Sequence, residues 1–129
     1  MARILLVDDE ATVRRIMELG LSKGGHSIRT AENGQKALDA ILEESPDLLI
    51  TDIEMPRMDG YEVATHVRNT PRLKGTPIVM VTSRVGDKHR NRAMELGVNA
   101  YLGKPFQEAQ LLEAIKPLLA SRRAAVAQS

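Results

Sequence analysis

Strand-like and helix-like segments alternate five times along this 129-residue chain. That order predicts an α/β fold with a parallel sheet covered by helices on both faces. Three observations carry the prediction. Ile4–Val7, Leu48–Thr51 and Ile78–Val81 are continuous apolar runs, the pattern of strands buried on both sides. The segments between them place apolar residues at helical spacing. Glycine and proline punctuate the joins.

The elements follow in order. The first strand, Ile4–Val7, stops at Asp8-Asp9-Glu10. Val13, Ile16, Met17 and Gly20 then recur with a helical period, which predicts a helix over 11–24, stopped by Gly24-Gly25. Ser27–Thr30 is a weaker strand. Asn33-Gly34 reads as a turn or helix cap. Ala37, Leu38, Ile41 and Leu42 mark a second helix that ends before Pro46. Leu48–Thr51 follows and runs straight into Asp52. A third helix over 61–69 carries Val63, Ala64 and Val67 inward. After a Pro- and Gly-containing loop, Ile78–Val81 ends at Thr82-Ser83. A fourth helix covers 87–96, with Gly97 as its cap. Ala100–Leu102 is a short fifth strand leading into Gly103-Lys104-Pro105. The last helix, 107–120, repeats Leu111, Leu112, Ile115, Leu118 and Leu119. Pro117 within it is expected to kink or fray the final turn. The reading is one domain over 1–120 and a mobile C-terminal tail over 121–129.

Composition excludes several classes. Aromatic residues are 2% of the chain, too few for stacking platforms on single-stranded nucleic acid. A net charge of +1 gives no reason to expect DNA or a membrane as the main partner. There is no cysteine, so disulfides and thiolate metal sites are impossible. No apolar run approaches the ~20 residues of a membrane span. The N-terminus enters a strand pattern at once, without a signal-peptide segment. A cytoplasmic protein is the expectation.

Right-handed crossovers place the carboxyl ends of parallel strands on one edge, where ligands bind in open α/β sheets. Topology therefore gathers Asp8, Asp9, Asp52, Thr82 and Lys104 at that edge. Each alone has an ordinary explanation as a loop charge, a cap or a surface lysine. Together they describe a chemistry. Clustered carboxylates repel unless a proton or cation compensates. Hard oxygen donors without His or Cys favour Mg²⁺, which binds one or two carboxylates plus a phosphate. Lys104 offers a point charge to a phosphoryl oxygen. Thr82 offers a hydroxyl. Asp52 is then available as nucleophile, giving an aspartyl phosphate.

These residues resemble the receiver domain of two-component response regulators. The likeness lies in Val7-Asp8-Asp9-Glu10, Asp52 with Met55-Pro56 and Asp59-Gly60, Thr82-Ser83, and Tyr101-Leu102-Gly103-Lys104-Pro105-Phe106. It covers about residues 2–120. The resemblance implies a flavodoxin-like, doubly wound sheet of order 2-1-3-4-5 with five helices. It implies that Asp52 accepts phosphate from a phosphohistidine. Asp9, Asp52 and the backbone carbonyl of Glu54 would bind Mg²⁺ directly, and Asp8 through water. Thr82 and Lys104 would hold phosphoryl oxygens. Tyr101 matches the family's aromatic switch position, and Lys104-Pro105 would be cis. Ser83 stands where the family often has Ala.

The implied partners are a histidine kinase or histidine phosphotransfer domain and a downstream protein, with no direct nucleic-acid or membrane contact. The domain is expected to be a monomer or weak dimer. It would be a switch rather than a metabolic enzyme, limited to its own phosphorylation and dephosphorylation. Phosphorylation adds roughly −1.5 to −2 charges. Thr82 would move toward it, Tyr101 would turn inward, and the surface of the fourth helix, fifth strand and fifth helix would change. A phosphotransferase or phosphatase is the main rival, but 129 residues leave no room for a substrate cap. A scaffold that binds without phosphorylation is the other, and the complete residue set argues against it. Residues 84–92 resemble those of receivers attached to chemotaxis- or pilus-type kinases. Glu54 and Arg84 are expected to face each other over the edge and modulate the phosphoryl lifetime.

Overall fold

The computed structural model describes residues 2–128, with side chains described for 2–122. Its sheet is made of β1 (Arg3–Val7), β2 (Ser27–Ala31), β3 (Leu48–Thr51), β4 (Ile78–Thr82) and β5 (Ala100–Gly103). All neighbouring strands are parallel, and the order is β2-β1-β3-β4-β5. Between and after them lie α1 (Ala11–Ser22), α2 (Gly34–Glu43), α3 (Gly60–Asn69), α4 (Asp87–Glu95) and α5 (Glu108–Gln128).

Strand side chains alternate between faces, so each apolar run feeds two cores. Ile4, Leu6, Leu48, Ile50, Val79 and Val81 pack against Met17 and Leu21 of α1 and Leu111, Ile115 and Leu119 of α5. Leu5, Val7, Leu49, Ile78 and Met80 face the opposite way, onto Ala37 and Ile41 of α2, Val63, Ala64 and Val67 of α3, and Ala93 of α4. Burying both sides of β1, β3 and β4 fixes these strands at the centre of the sheet. Each fully buried Leu or Ile contributes about 1.5–3 kcal/mol of burial free energy.

Two helices, α2 and α3, start at side-chain caps. The Asn33 side chain accepts the Lys36 N–H at 2.8 Å. Asp59 and Glu62 form a reciprocal capping box at the start of α3. Three helix features differ from the sequence reading. Ile16 of α1 and Leu42 of α2 fall outside the buried faces and are exposed, because their periodic stripes are wider than the contact with the sheet. Pro117 lies inside α5, and the helix does not fray at the turn that follows it. The helical backbone continues past the expected boundary at 120 to Gln128, through an Ala-rich stretch with high helix propensity. Ser129, the end of the expected tail, lies outside the described residues.

Candidate phosphoacceptor site

Strand register builds the site. Val7 pairs with Thr51, so Asp8 and Asp52 leave the sheet side by side. Their N–H groups still donate to the strands, Asp52 to the Val7 carbonyl at 3.0 Å and Asp8 to the Ala31 carbonyl at 3.2 Å. Met80 pairs with Thr51 and Thr82 with Gly103, so β4 and β5 run further and deliver Thr82 and Lys104 above the carboxylates. The Lys104-Pro105 bond is cis, as the resemblance implied.

Asp8 is 1% exposed and Asp52 6%. The Lys104 ammonium bridges them, donating to Asp8 Oδ2 at 2.7 Å and Asp52 Oδ2 at 3.1 Å. The remaining carboxylate oxygens are held by backbone. Ile53 N–H donates to Asp52 Oδ1 at 2.7 Å, and Glu10 N–H to Asp8 Oδ1 at 2.9 Å. Burial pushes the Asp8 carboxyl up from its ordinary value, although its bond from Lys104 acts the other way. Burial alone would lower Lys104. Its hydrogen bond to Asp8 and the charge of Asp52 outweigh that and raise it.

The loop after Asp52 is shaped by close approach. A Cβ on Gly60 would fall 2.1 Å from the Asp52 carbonyl oxygen, and the Gly60 N–H donates to the Ile53 carbonyl at 2.8 Å. Only glycine lets α3 begin against the backbone of Asp52. Within the loop, Arg57 adopts φ 70° and Met58 N–H bonds the Pro56 carbonyl at 2.8 Å, a γ-turn.

Asp8, Asp9, Glu10 and Asp52 each bring a carboxylate oxygen within 4.8 Å of the others. All are hard donors, and one lysine at their centre leaves the set net negative. The group fits Mg²⁺ on donor chemistry. Glu10 is a member the sequence reading did not assign. It also lies 3.5 Å from Lys104 Nζ. Its signal was available, as the third acidic residue in a row at a strand end.

Thr82 is buried, and its hydroxyl oxygen accepts the Arg84 N–H at 3.2 Å. Glu54 and Arg84 do meet over the opening, with Nε to Oε1 at 2.6 Å and both side chains about half exposed. The guanidinium holds the Glu54 carboxyl below its usual range. Tyr101 is 8% exposed, and its hydroxyl donates to the Arg84 carbonyl. Beside the site lies a cleft of about 600 Å³, walled by Asp9 and Glu54 on one side and Arg84, His89 and Arg92 on the other. Tyr61 supports the second wall. Its hydroxyl donates to the His89 carbonyl at 3.2 Å and the Arg92 guanidinium sits 4.2 Å over its ring. Nothing in the local sequence of Tyr61 signals a contact 28 residues away.

The family model for the response regulator receiver domain matches residues 4–116. The chain belongs to that family. Among curated relatives, the receiver domain is 37% identical to Protein PilG of Pseudomonas aeruginosa, over 88% of this chain and 84% of that protein. It is 39% identical to the transcriptional regulatory protein GltR of the same species, over 97% of this chain and 51% of that protein. It thus spans about half the length of GltR. Among solved structures, the chemotaxis response regulator CheY4 of Vibrio cholerae superposes with a TM-score of 0.86 at 31% identity, covering 92% of this chain and 98% of that one. A CheY-like receiver protein of Methanospirillum hungatei JF-1 gives 0.89 at 27% identity, covering 97% and 98%. The receiver fold, its strand order and its place in two-component signalling follow from these matches. Among the described residues, no helix is long and apolar enough to cross a membrane.

Proposed function

We propose that this receiver domain takes a phosphoryl group onto Asp52 from a phosphohistidine of a histidine kinase or phosphotransfer domain, in the cytoplasm. The carrying observation is the Lys104 ammonium set between the Asp8 and Asp52 carboxylates, 2.7 and 3.1 Å away. A buried cation at a carboxylate suits both states of the site. It balances the anionic nucleophile before transfer and a phosphoryl oxygen after it. In the transfer a carboxylate oxygen of Asp52 bonds to phosphorus, and the phosphorus–nitrogen bond breaks with its electron pair returning to the imidazole. Asp52 is held for this by Ile53 N–H and Lys104, and the buried Thr82 hydroxyl offers the phosphoryl group a further hydrogen bond. Asp9, Asp52 and the Glu54 carbonyl would hold Mg²⁺, with Asp8 and Glu10 beside it. The ion would supply charge neutralisation of the phosphoryl oxygens.

The donor needs a seat within reach of Asp52. A groove of about 800 Å³ between α1 and α5 opens at Ser83 and Lys104 and is floored by Val13, Ile16, Leu19, Phe106 and Leu112. Ile16 is 62% and Leu19 53% exposed. Exposed apolar side chains bordering a polar site support a helical partner there. The face of α4, β5 and α5 would carry the downstream protein. The domain would act as a switch whose chemistry is confined to its own phosphorylation and dephosphorylation.

With Mg²⁺ and acetyl phosphate the protein should gain one phosphoryl group by mass, removed by hydroxylamine. Asp52→Asn should stay folded and gain none. An equal mass gain in Asp52→Asn would place the nucleophile elsewhere.

A further inference from the structure

The loop between α3 and β4, residues 70–77, lies at the amino edge of the sheet, opposite the phosphoacceptor site. Two polar atoms there lack partners. Among the described residues, the Thr76 hydroxyl and Arg122 Nε are the buried side-chain polar atoms without a hydrogen bond. They belong to one place. α5 packs along the sheet and brings Arg122 onto the loop, its Nη1 3.5 Å from where a Gly75 Cβ would sit. Thr76 is 2% exposed. Its N–H donates to the Leu73 carbonyl at 2.9 Å and its carbonyl accepts from the Arg68 guanidinium at 2.7 Å, so the hydroxyl alone is left over. The charge is also unbalanced. Arg68 donates only to neutral oxygens, the carbonyls of Gly97, Lys74 and Thr76 and Asn99 Oδ1. Lys74 is exposed beside Gly75. Among the described residues, Arg68, Lys74 and Arg122 have no carboxylate partner.

We propose that Lys74, Gly75, Thr76 and Arg122 form a binding site for a free oxyanion of phosphate size. The chemistry follows from what the two unpartnered atoms require. Buried polar groups are normally satisfied, and two unmatched ones at a single spot mark a missing partner. A hydroxyl and a guanidinium N–H are both donors, so the partner they share is an acceptor. The unpaired positive charge around them makes that acceptor an anion. The planar fork of an arginine donates to two oxygens of one phosphate group, and Lys74 adds a point charge at the rim. A phosphate group has oxygens enough for guanidinium, hydroxyl and ammonium together, which a carboxylate has not. Both unpartnered atoms are shut off from solvent. The Arg122 side chain therefore opens to admit the ion and closes over it. The same edge carries Glu44 and Asp47, held by Arg3 at 3.7 and 4.0 Å. These carboxylates repel an extended anionic surface such as a membrane and leave the site to a small free ion. The site does not depend on whether Asp52 takes phosphate, so its test stands apart from the phosphotransfer reading.

Inorganic phosphate is the probe, compared with sodium chloride at matched ionic strength in metal-free buffer and followed by proton–nitrogen correlation spectra. The amides of Lys74, Gly75 and Thr76 should shift and saturate with phosphate but not with chloride. Arg122→Gln should weaken that titration by about tenfold or more, the factor that one charge-assisted hydrogen bond carries. Thr76→Val removes the hydroxyl that lacks a partner. It should melt at or above wild type in chloride and lose that advantage in phosphate, which stabilises wild type more. Lys36→Ala, on α2, is the control and should titrate like wild type. Vesicles of phosphatidylserine and phosphatidylcholine should leave the three amides unmoved. Shifts that never saturate, or that saturate only around Asp52, Thr82 and Lys104, overturn the proposal. Saturation at the three amides that Arg122→Gln leaves unchanged overturns it too. A stronger response to vesicles than to phosphate also does so, and would make this edge a membrane-docking surface instead.

Discussion

Asp8 shows how one buried carboxylate sets stability against function. Burial raises its pKa above the ordinary 3.8 despite the bond from Lys104. The folded chain therefore binds that proton more tightly than the unfolded chain. Stability falls as pH rises from 3.8 through the raised value, and the cost is fully present at neutral pH. Asp8→Asn should melt a few degrees above wild type at neutral pH. Its advantage should shrink as pH falls through that window. Thermal unfolding at both ends checks this, and a constant advantage would assign the gain to packing instead. Lys104 has the other sign. Its raised pKa contributes stability that is fully present below 10.5 and lost as pH rises through the folded value. Glu54 and Arg84 lie over the same opening, where a water must approach to hydrolyse an aspartyl phosphate in line. Glu54→Ala and Arg84→Ala should each change the decay rate of the phosphoprotein more than they change the unfolding midpoint. The double variant should depart from additivity, because the residues touch. Identical half-lives in wild type and all three variants would remove the gate.

At the scale of elements, the two ends of the sheet are held differently. At the amino end, Arg68 joins α3 to the start of β4 and to the α4–β5 turn. Its guanidinium donates to the carbonyls of Gly97, Lys74 and Thr76 and to Asn99 Oδ1, at 2.7 to 3.2 Å. Asn99 passes the connection on, accepting the Ile78 N–H at 2.8 Å. Arg68→Ala leaves several acceptors without their donor and should cost about 2 kcal/mol in urea unfolding. Arg68→Lys should recover little of it, since an ammonium lacks the planar fork. Acetyl phosphate reactivity should survive in both. Toward the carboxyl end, α1 leaves apolar residues exposed. Ile16→Ser with Leu19→Ser should stay near wild-type stability, because both are exposed. Transfer from a phosphohistidine protein should slow sharply while phosphorylation by acetyl phosphate stays unchanged. Equal slowing of both reactions would move the donor's seat away from this groove.

For the whole molecule, Mg²⁺ bound at the carboxylate cluster as proposed would link folding to metal. A ligand that binds the folded chain and not the unfolded one raises stability with its concentration. Mg²⁺ should therefore raise the melting temperature of wild type, and the rise should largely disappear in Asp9→Ala. Without added Mg²⁺, Asp9→Ala should match or exceed wild type, since one carboxylate fewer relieves repulsion at the edge. Matching Mg²⁺ titrations for the two proteins would mean that Asp9 is not a ligand.

The sequence by itself determined the strands, the fold class and the main set at the edge. Continuous apolar runs can be buried only in a sheet covered on both faces, and parallel strands must end on one edge. Asp8, Asp52, Thr82 and Lys104 were legible for that reason, each as the first polar residue or two at the end of its own run. Tertiary structure decided what depends on which side of an element meets another. Periodicity placed Ile16 with Met17, but contact with the sheet buries Met17 and leaves Ile16 outside. Glu10 was visible as a charge, while its approach to Lys104, 94 positions away in the chain, was set by β1 and β5 opening onto the same edge of the sheet. Tyr101 was readable as an aromatic at a strand, yet its hydroxyl bonds one carbonyl of a loop from another strand. Sequence spacing carries local period and polarity. Contacts between loops depend on where the sheet's twist and register bring their ends, and no local pattern encodes that.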